Sequence, residues 1–440
     1  MTDDKNEIKK HRIEIPEITR VEGHSAVQID IAGGKVQNVM LDVFEGTRFF
    51  EKIVLGHNYE EIPHITSRVC AICSTGHVLA AAFSIEKIFG IKCDEITNSF
   101  RRVMHLGMFI ESHSTHIYAL ALPDFVGASD LLDFASRFQS EFAAWTQLRN
   151  LGTSIQSIIG GRPFHPVNLH VGGLSSVPAK DKLLSLVKEL EAARPLALNT
   201  CELLMRFKPP FERTSDPLFM ALIPEDGRYG YFGNKVLSSN GFEADVAEYK
   251  NYLHETSVKY SHAKRSMTEG ASLFVGAMAR LNLFNQLLTG EAAQIYKNSP
   301  LSKGDNNSIW NNLAQAIEMV HAVDDCIRLL TEIISRYDDA RPVDQHAIKN
   351  HSGAAVGAVE CPRGTLYHNY ELDEEGIIVV ADMVTPSAQN TARIEMDIKE
   401  AVEQCINLQS VDLQKSLETL VRAYDPCNTC ATHMVSVSYK

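Results

Sequence analysis

The stretch RVCAICSTGHVLAAAFSIEKIFG (residues 68–90) is the part of the sequence that best indicates the fold. It contains a Cys-x-x-Cys pair, Cys70 and Cys73, and then apolar residues at helical spacing that end at Gly90. Apolar residues that recur about every 3.6 positions predict an amphipathic helix, and glycine is common where helices end. The stretch therefore predicts a pair of thiols followed directly by a helix.

The rest of the chain adds more helix and a smaller amount of strand. Alternating apolar and polar residues, with Gly33-Gly34 as a turn, predict a mainly β region over 1–65 that contains a hairpin. A further β-like section covers 364–384, and the glycine- and proline-rich residues 160–173 predict an irregular loop. These patterns predict one α+β domain over 1–440, predominantly α-helical, with a core of long helices. The further predicted helices cover 98–121, 129–159, 179–207, 307–337 and 390–421.

Composition excludes several classes of protein. The formal net charge is −13, whereas nucleic acids and anionic membranes bind basic surfaces. The N-terminal residues MTDDKNEIKK lack the apolar core of a secretion signal, and no apolar run approaches the about 18 residues of a spanning helix. Nine cysteines in 440 residues do not make a disulfide framework. Their distribution favours a reducing compartment and one metal site.

A second Cys-x-x-Cys pair, Cys427 and Cys430, lies near the other end of the chain. Paired thiolates are typical ligands of soft or borderline metals, so one or two structural zinc sites are an open alternative. The pairs of a zinc ribbon, however, usually lie about 15–20 residues apart. A redox disulfide in each pair is disfavoured because neither pair begins a βαβ unit. The neighbours of the two pairs are cationic, imidazole or acidic groups, which suits a site that also handles protons: Arg68, His77, Asp425 and His433.

The two motifs RVCAIC and DPCNTC, with His77 and His433 at their spacing, resemble the paired nickel-ligand motifs of [NiFe] hydrogenase large subunits. The segments EGTRFFE, LPDF and VRAYDPC resemble most the soluble, cytoplasmic, NAD(P)-linked group that includes the archaeal sulfhydrogenases. The resemblance extends over nearly the whole chain, through ITRVEGH (18–24), EGTRFFE (45–51), IESHSTHIYALALPDF (110–125), RNLGTSIQSIIGGRPFHP (149–166), ECPRGTLYH (360–368), VTPSAQN (384–390) and VRAYDPCNTC (421–430).

The resemblance implies a fold, a cofactor and a reaction. It implies that all four cysteines bind nickel, and that Cys73 and Cys430 also bridge to an iron that carries carbonyl and cyanide ligands. Cys70 and Cys427 would then be terminal ligands. The implied reaction is the reversible heterolysis of H2. The family's proton route would lead from Cys427 to Glu22, a carboxyl whose pKa a tight, dry site can raise toward neutrality.

The resemblance also assigns residues around the metals. Arg363 would donate hydrogen bonds to one cyanide and be oriented by Asp124, and Ser387 would donate to the other cyanide. His77 would hydrogen-bond a bridging sulfur, that of Cys430. A Mg2+ or similar hard cation is implied nearby, and its implied ligands are Glu51, His433 and the backbone carbonyl of Thr391. Arg48 is the other residue that matches in the motif of Glu51.

The sequence lacks motifs for electron-carrying cofactors, which indicates that other subunits carry the electrons. H2 oxidation releases two electrons, yet the five single cysteines form no iron–sulfur set, and no dinucleotide-binding glycine motif follows a strand. We expect no iron–sulfur cluster, flavin or nucleotide on this chain. The resemblance implies an obligate iron–sulfur small subunit, and flavin- and NAD(P)-binding subunits in the soluble groups. It also implies removal of residues 434–440 after His433 during maturation.

Several alternatives remain open at the level of sequence. One is a hydrogen sensor that binds H2 with little turnover, and another is a zinc-stabilised scaffold without activity. The quinone-binding subunit of respiratory complex I is a third relative, but that descendant has lost the four cysteines that are present here. His113 and His116 have a spacing that can bind metal on a helix, although packed, hydrogen-bonded histidines are the favoured interpretation.

Overall fold

A computed structural model of the chain describes residues 10–213, 215–405 and 410–432. Helices dominate it, and the longest run for 20 or more residues each. The α-helices of the described residues are α1 (Phe50–Ile53), α2 (Ile62–Thr66), α3 (Ser74–Phe89), α4 (Glu95–Thr115), α5 (Leu122–Val126), α6 (Leu131–Arg137), α7 (Gln139–Gly160), α8 (Lys180–Leu204), α9 (Tyr249–Tyr252), α10 (Ala277–Phe284), α11 (Gly290–Asn298), α12 (Asn311–Ser335), α13 (Pro386–Cys405), α14 (Ser410–Ala423) and α15 (Asn428–Ala431).

Helices α4, α7, α8 and α12 form the central bundle. Helix α4 packs against both α7 and α12, and α8 packs against α12 and α7. The approach of α4 to α7 is very close, because a Cβ atom at Gly152 would lie 2.6 Å from the backbone nitrogen of Glu111. Only glycine fits at such a contact between helix backbones. A π-helical segment, His116–Ala121, follows α4 directly and carries the chain toward α5.

The strands form three sheets and one short pair. An antiparallel sheet β1-β2-β3 begins the described chain, and a six-stranded sheet has the order β8-β7-β6-β11-β10-β9, with β6 and β11 parallel. A third, antiparallel sheet is β12-β13-β14. The strands are β1 (Lys10–Ile15), β2 (Ser25–Ala32), β3 (Lys35–Val43), β4 (Leu169–His170), β5 (Gly173–Leu174), β6 (Leu218–Leu222), β7 (Lys235–Ser238), β8 (Glu243–Asp245), β9 (His254–Ser257), β10 (Lys264–Thr268), β11 (Ala271–Phe274), β12 (Gly353–Cys361), β13 (Gly364–Leu372) and β14 (Ile378–Val384).

The two cysteine motifs meet because the elements around them pack together. Helix α3 starts directly after Cys73 and packs on β12 and β13. Helix α13 follows β14, and it also contacts α15, which carries Cys430. A β-bridge joins Glu22, near the N-terminus, to Cys427, near the C-terminus. Distant parts of the chain are thus brought to one place in the core.

The structure confirms the predicted fold class and adds a sheet that the sequence pattern did not show. The N-terminal hairpin and the helix after the first cysteine pair are present at the predicted places. The predicted helix 129–159 is divided at Phe138 into α6 and α7, and the predicted helix 390–421 corresponds to α13 and α14. The six-stranded sheet was missed because its strands are only three to five residues long, too short for a clear alternation.

Over the described ranges, none of the helices is both long and apolar enough to cross a lipid bilayer, as expected from the sequence. The expected maturation segment 434–440, together with His433, lies outside the described residues.

Candidate metal centre

Four cysteine side chains form a closed cluster in the core. Cys70, Cys73, Cys427 and Cys430 pack against one another and are each at most 5% exposed. The sulfur atoms of Cys70 and Cys427 lie 3.7 Å apart. Cys70, Cys427 and Cys430 can place their sulfur atoms within 4.8 Å of one another. Free thiols this close, contributed by both ends of the chain, form a ready set of soft ligands for a metal.

The charge on the cluster is shared unevenly between its thiols. Hydrogen bonds from Cys427, Cys430 and Cys73 lower the pKa of the Cys70 thiol well below its usual value. Burial raises the pKa of Cys427 well above its usual value. A single negative charge is therefore stabilised readily, whereas ionisation of all four thiols requires a compensating cation. Binding of divalent metal would supply that charge and release protons.

Hydrogen bonds to backbone groups hold the two cysteine motifs in place. The Arg48 guanidinium donates through Nη2 to the carbonyls of Val69 (2.5 Å) and Thr429 (3.0 Å), one from each motif. His165, in the loop over 160–173, donates its backbone N–H to Ser74 Oγ and bonds the carbonyl of Ser67 through Nδ1. The loop that the sequence predicted as irregular thus holds the first cysteine motif in place.

Glu22 is placed directly on the thiol of Cys427. The Cys427 sulfur lies 3.1 Å from Glu22 Oε2, and the backbone N–H of Thr429 donates to the same oxygen at 3.1 Å. The Thr429 hydroxyl bonds the other carboxylate oxygen, Oε1. Glu22 and Thr429 are only partly buried, unlike the cysteines. The expected neighbours are therefore in contact, and the carboxyl lies between a buried thiol and the outer part of the site.

Arg363 contacts the cluster, but its expected partner is a different aspartate. Its Nη1 donates to Cys73 Sγ at 3.2 Å. Its Nη2 and Nε donate to the side chain (2.8 Å) and backbone carbonyl (2.6 Å) of Asp425. Asp124 is instead bound by Arg422, at 2.8 and 3.0 Å, and by Arg20. The prediction that Asp124 orients Arg363 is wrong, since α5 directs that carboxylate to α14 and the N-terminal segment.

Asp425 reaches Arg363 through an uncommon backbone conformation. Its φ angle is +52°, in the left-handed region that aspartate tolerates better than most residues. Its second carboxylate oxygen accepts from Gln315 Nε2 at 3.2 Å, so α12 fixes it from the other side. The sequence showed this aspartate two residues before Cys427 but did not reveal its partner.

Ser387 and His77 are both buried beside the cysteines. Ser387, at the start of α13, accepts the backbone N–H of Cys427 at 3.0 Å. His77 Nδ1 lies 3.0 Å from His368 Nε2, and burial lowers the pKa of His77 to about 4. The sequence had predicted a hydrogen bond from His77 to the sulfur of Cys430, but among the described residues the His77 ring bonds to His368 instead. His77 is thus a neutral imidazole in a chain of hydrogen bonds that continues from His368 to Tyr370.

Of the three ligands expected for a hard cation, Glu51 has a buried carboxylate oxygen without a partner among the described residues. Glu51 is buried, accepts from Lys264 and from the backbone of Met383 through Oε1, and leaves Oε2 without a partner among the described residues. Burial raises the pKa of its carboxyl. Thr391 lies inside α13, where backbone carbonyls point along the helix axis toward the N–H groups of the next turn. His433 lies outside the described residues.

His113 and His116 are packed in the bundle, as the favoured interpretation of the sequence held. His113 Nε2 lies 2.9 Å from Glu318, and His116 bonds Gln315 and the carbonyl of Arg422. Glu318 is further bound by Arg280. His116 thus has partners at both ring nitrogens, whereas His113 has one at Nε2 and its Nδ1 has none among the described residues.

The comparisons with known proteins agree with this geometry. The sequence profile of the family described as nickel-dependent hydrogenase matches residues 48–151 and 214–433. The sulfhydrogenase 1 subunit alpha of Pyrococcus furiosus is 37% identical, with 96% of this chain and 98% of that protein covered. The beta subunit of the NAD-reducing hydrogenase HoxS of Cupriavidus necator is 26% identical over 96% of this chain and 94% of that protein.

Solved structures show the same fold. An NAD+-reducing [NiFe]-hydrogenase in its H2-reduced state superposes with a TM-score of 0.87 and 26% identity, covering 96% of this chain and 99% of that one. The reduced Ni-Fe-Se hydrogenase from D. vulgaris Hildenborough superposes with a TM-score of 0.79 over 97% of this chain, and its 22% identity shows the fold alone. The resemblance to the NAD(P)-linked and sulfhydrogenase group that the sequence indicated is thereby confirmed.

Proposed function

The chain belongs to the nickel-dependent hydrogenase family, and from that premise we propose that it is the catalytic large subunit of a multisubunit [NiFe] hydrogenase that cleaves H2 reversibly and heterolytically. The observation that carries the proposal is the buried cluster of Cys70, Cys73, Cys427 and Cys430, with Glu22 against one thiol and Arg363 against another. A nickel–iron centre held by these sulfurs would supply the electrophile that polarises H2.

The residues around the cluster then have separate tasks. The Cys427 thiolate would take the proton from H2, and the Glu22 carboxylate, 3.1 Å away, would receive it from the thiol. Proton transfer requires contact at hydrogen-bond distance, which this pair has. The two electrons must leave to another subunit. One H2 thus yields two protons and two electrons, with the second proton released when the electrons have left.

Arg363 and Ser387 would hold the diatomic ligands of the iron. Arg363 is fixed by Asp425 and presents its Nη1 at the sulfur of Cys73, one of the two proposed bridging ligands. A planar guanidinium suits an anionic ligand because it offers several donors in a fixed geometry. The Ser387 hydroxyl lies beside the second cysteine motif, where it accepts a hydrogen bond from the backbone N–H of Cys427. The free Oε2 of Glu51 supports a cation such as Mg2+ near α1, whose remaining ligands stay a prediction.

The partners and the acceptor are also proposals. We infer an iron–sulfur small subunit, because the relatives are named as subunits of larger hydrogenases. We infer NAD(P) or ferredoxin as the final acceptor, and the name of one relative, NAD-reducing hydrogenase HoxS, supports the first of these. The cytoplasmic location expected from the same resemblance stays a prediction.

The test is metal analysis and turnover of the complex isolated with its natural partners. We expect nickel and iron near one each per chain and H2-dependent reduction of an artificial dye. Zinc in place of nickel would contradict the proposal. Nickel and iron without turnover would instead favour the hydrogen sensor.

A further inference from the structure

Helix α4 carries a buried carboxyl that the proposed proton route does not use. Glu111 is only 2% exposed, and its side-chain oxygen Oε2 has no hydrogen-bond partner among the described residues. Burying a carboxyl oxygen without a hydrogen-bond partner destabilises the folded protein, since a polar group taken from water must regain its hydrogen bonds inside the protein. A role in the site would explain why a carboxyl is kept at this position.

The charges that face Glu111 come from the metal centre on one side and from α7 on the other. Arg363, Asp425 and Cys70 interact with it electrostatically from the cluster, and Arg149 does so from α7. No hydrogen bond or ion pair of Arg149 is found among the described residues. Burial raises the pKa of Glu111 to about 7, while the two arginines oppose that rise.

The other elements packed on α4 also carry titratable groups: Glu86 of α3 is bound by Arg101, and His321 of α12 has no partner at Nε2 among the described residues. Helix α12 contributes Glu318, which is bound by His113 and Arg280, and Gln315, which is bound by Asp425. His113 lies two residues after Glu111 and so points to the opposite side of α4. Helix α3 offers Thr75, whose hydroxyl bonds Gln156 of α7. Ionisation of Glu111 therefore interacts electrostatically chiefly with four groups: Arg363, Asp425, Cys70 and Arg149.

We propose that Glu111 is a positioning residue for Arg363, because its buried carboxyl exchanges a proton with solvent and thereby adds or removes one negative charge beside the Arg363–Asp425 pair. This inference rests on the proposed function, since Arg363 acts on the ligands of the iron. When Glu111 is protonated, Arg363 has Asp425 as its carboxylate partner. When Glu111 is ionised, a second carboxylate draws on the same guanidinium and weakens its interaction with a cyanide.

The effect has a direction in pH. A carboxyl whose folded-state pKa is raised is neutral below that value, so Glu111 is neutral under mildly acidic conditions and ionised above about pH 7. The ionised form is disfavoured by burial, so folding stability falls as pH rises from the ordinary glutamate range to about 7 and is level above it. Replacing the glutamate with glutamine should remove that fall.

The experiment is infrared spectroscopy of the intact metal-loaded complex between pH 5.5 and 8.5. The carboxyl C=O band reports protonation of Glu111 itself, and the carbonyl and cyanide bands of the iron report the charge around Arg363. In the wild type, loss of one carboxyl band and a shift of the cyanide band should share one midpoint within this pH range. Both changes should be absent in Glu111→Gln and unchanged in the control Glu141→Gln on α7.

A second variant keeps the proposal testable if Glu111→Gln fails to assemble. Arg149→Gln removes the cation on the α7 side and should move the shared midpoint to higher pH. An unchanged midpoint in that variant, or a cyanide shift that persists in Glu111→Gln, overturns the proposal. A carboxyl band that titrates without any cyanide shift also overturns it, while leaving the hydrogenase function intact. Absence of all carbonyl and cyanide bands would contradict the hydrogenase function itself and this inference with it.

Discussion

Replacing Asp425 with asparagine removes the charge that fixes Arg363 while leaving the backbone largely unstrained. Asparagine tolerates the left-handed φ of +52° at this position. The asparagine side chain keeps one oxygen that can accept from Arg363 Nη2. Its amide nitrogen, however, replaces the carboxylate oxygen that now accepts from Gln315 Nε2. Arg363 and Asp425 have side chains that are 2% and 1% exposed, so the guanidinium has no water to replace the lost carboxylate.

The expected cost follows from the burial of this pair. Removing one partner of a buried ion pair destabilises a protein by about 3–5 kcal/mol. Because asparagine and the backbone carbonyl of residue 425 still accept from Arg363, we expect the lower end, about 3 kcal/mol. With an unfolding entropy of about 2.1 cal/mol/K per residue, a chain of 440 residues should lose about 3 °C in Tm.

The assay compares Asp425→Asn with the matched variant Asp124→Asn by calorimetry and H2-dependent dye reduction. Asp124 has an equally buried arginine partner in Arg422, so both variants should lose stability. Only Asp425→Asn should also lower turnover and shift the cyanide bands, because only Asp425 holds Arg363. Equal losses of turnover in the two variants, or an unaltered Tm in Asp425→Asn, would refute the reasoning.

Three further changes test other parts of the site. Glu22→Gln should keep the metals bound, because the amide preserves an acceptor for Thr429, yet lower H2-dependent turnover by about 10²–10⁴-fold; normal turnover would exclude this proton route. Cys73→Ser should abolish assembly of the bimetallic centre, so a full complement of nickel and iron in that variant would show that Cys73 is not a ligand. Arg48→Ala removes a long hydrogen bond to Arg68 and the two shorter charge-assisted bonds to Val69 and Thr429, the latter worth about 1.5–3 kcal/mol each. It should lower metal occupancy at a fixed nickel supply, whereas unchanged occupancy would mean that this link is dispensable.

The sequence predicted which residues lie together in the candidate site, the four cysteines and Glu22, because short motifs carry them. Cys70 and Cys73 are separated by two residues, as are Cys427 and Cys430, and the resemblance supplied Glu22. The partner of Arg363 could not be predicted in this way. Asp124 and Asp425 are both acidic residues in family motifs, and only the direction of α5 and the left-handed turn at Asp425 decide between them.

The same limit applies to residues whose role depends on burial. Glu111 lies in an ordinary amphipathic helix, and nothing in the letters IESHSTH shows that its carboxyl lacks a partner. The bond between His77 and His368 joins residues from α3 and β13 that are far apart in the chain. Pairings of this kind follow from how helices and strands pack, which periodicity alone does not determine.

Isotope exchange tests the central claim most directly, because it detects cleavage of H2 without any electron acceptor. The metal-loaded complex is placed under D2 in ordinary water, and the gas phase is analysed for HD by mass spectrometry. If the thiol cluster holds a centre that splits H2 heterolytically and Glu22 exchanges the proton with solvent, HD should form catalytically, and Glu22→Gln should form it far more slowly. A complex replete in nickel and iron that yields no HD would contradict the account.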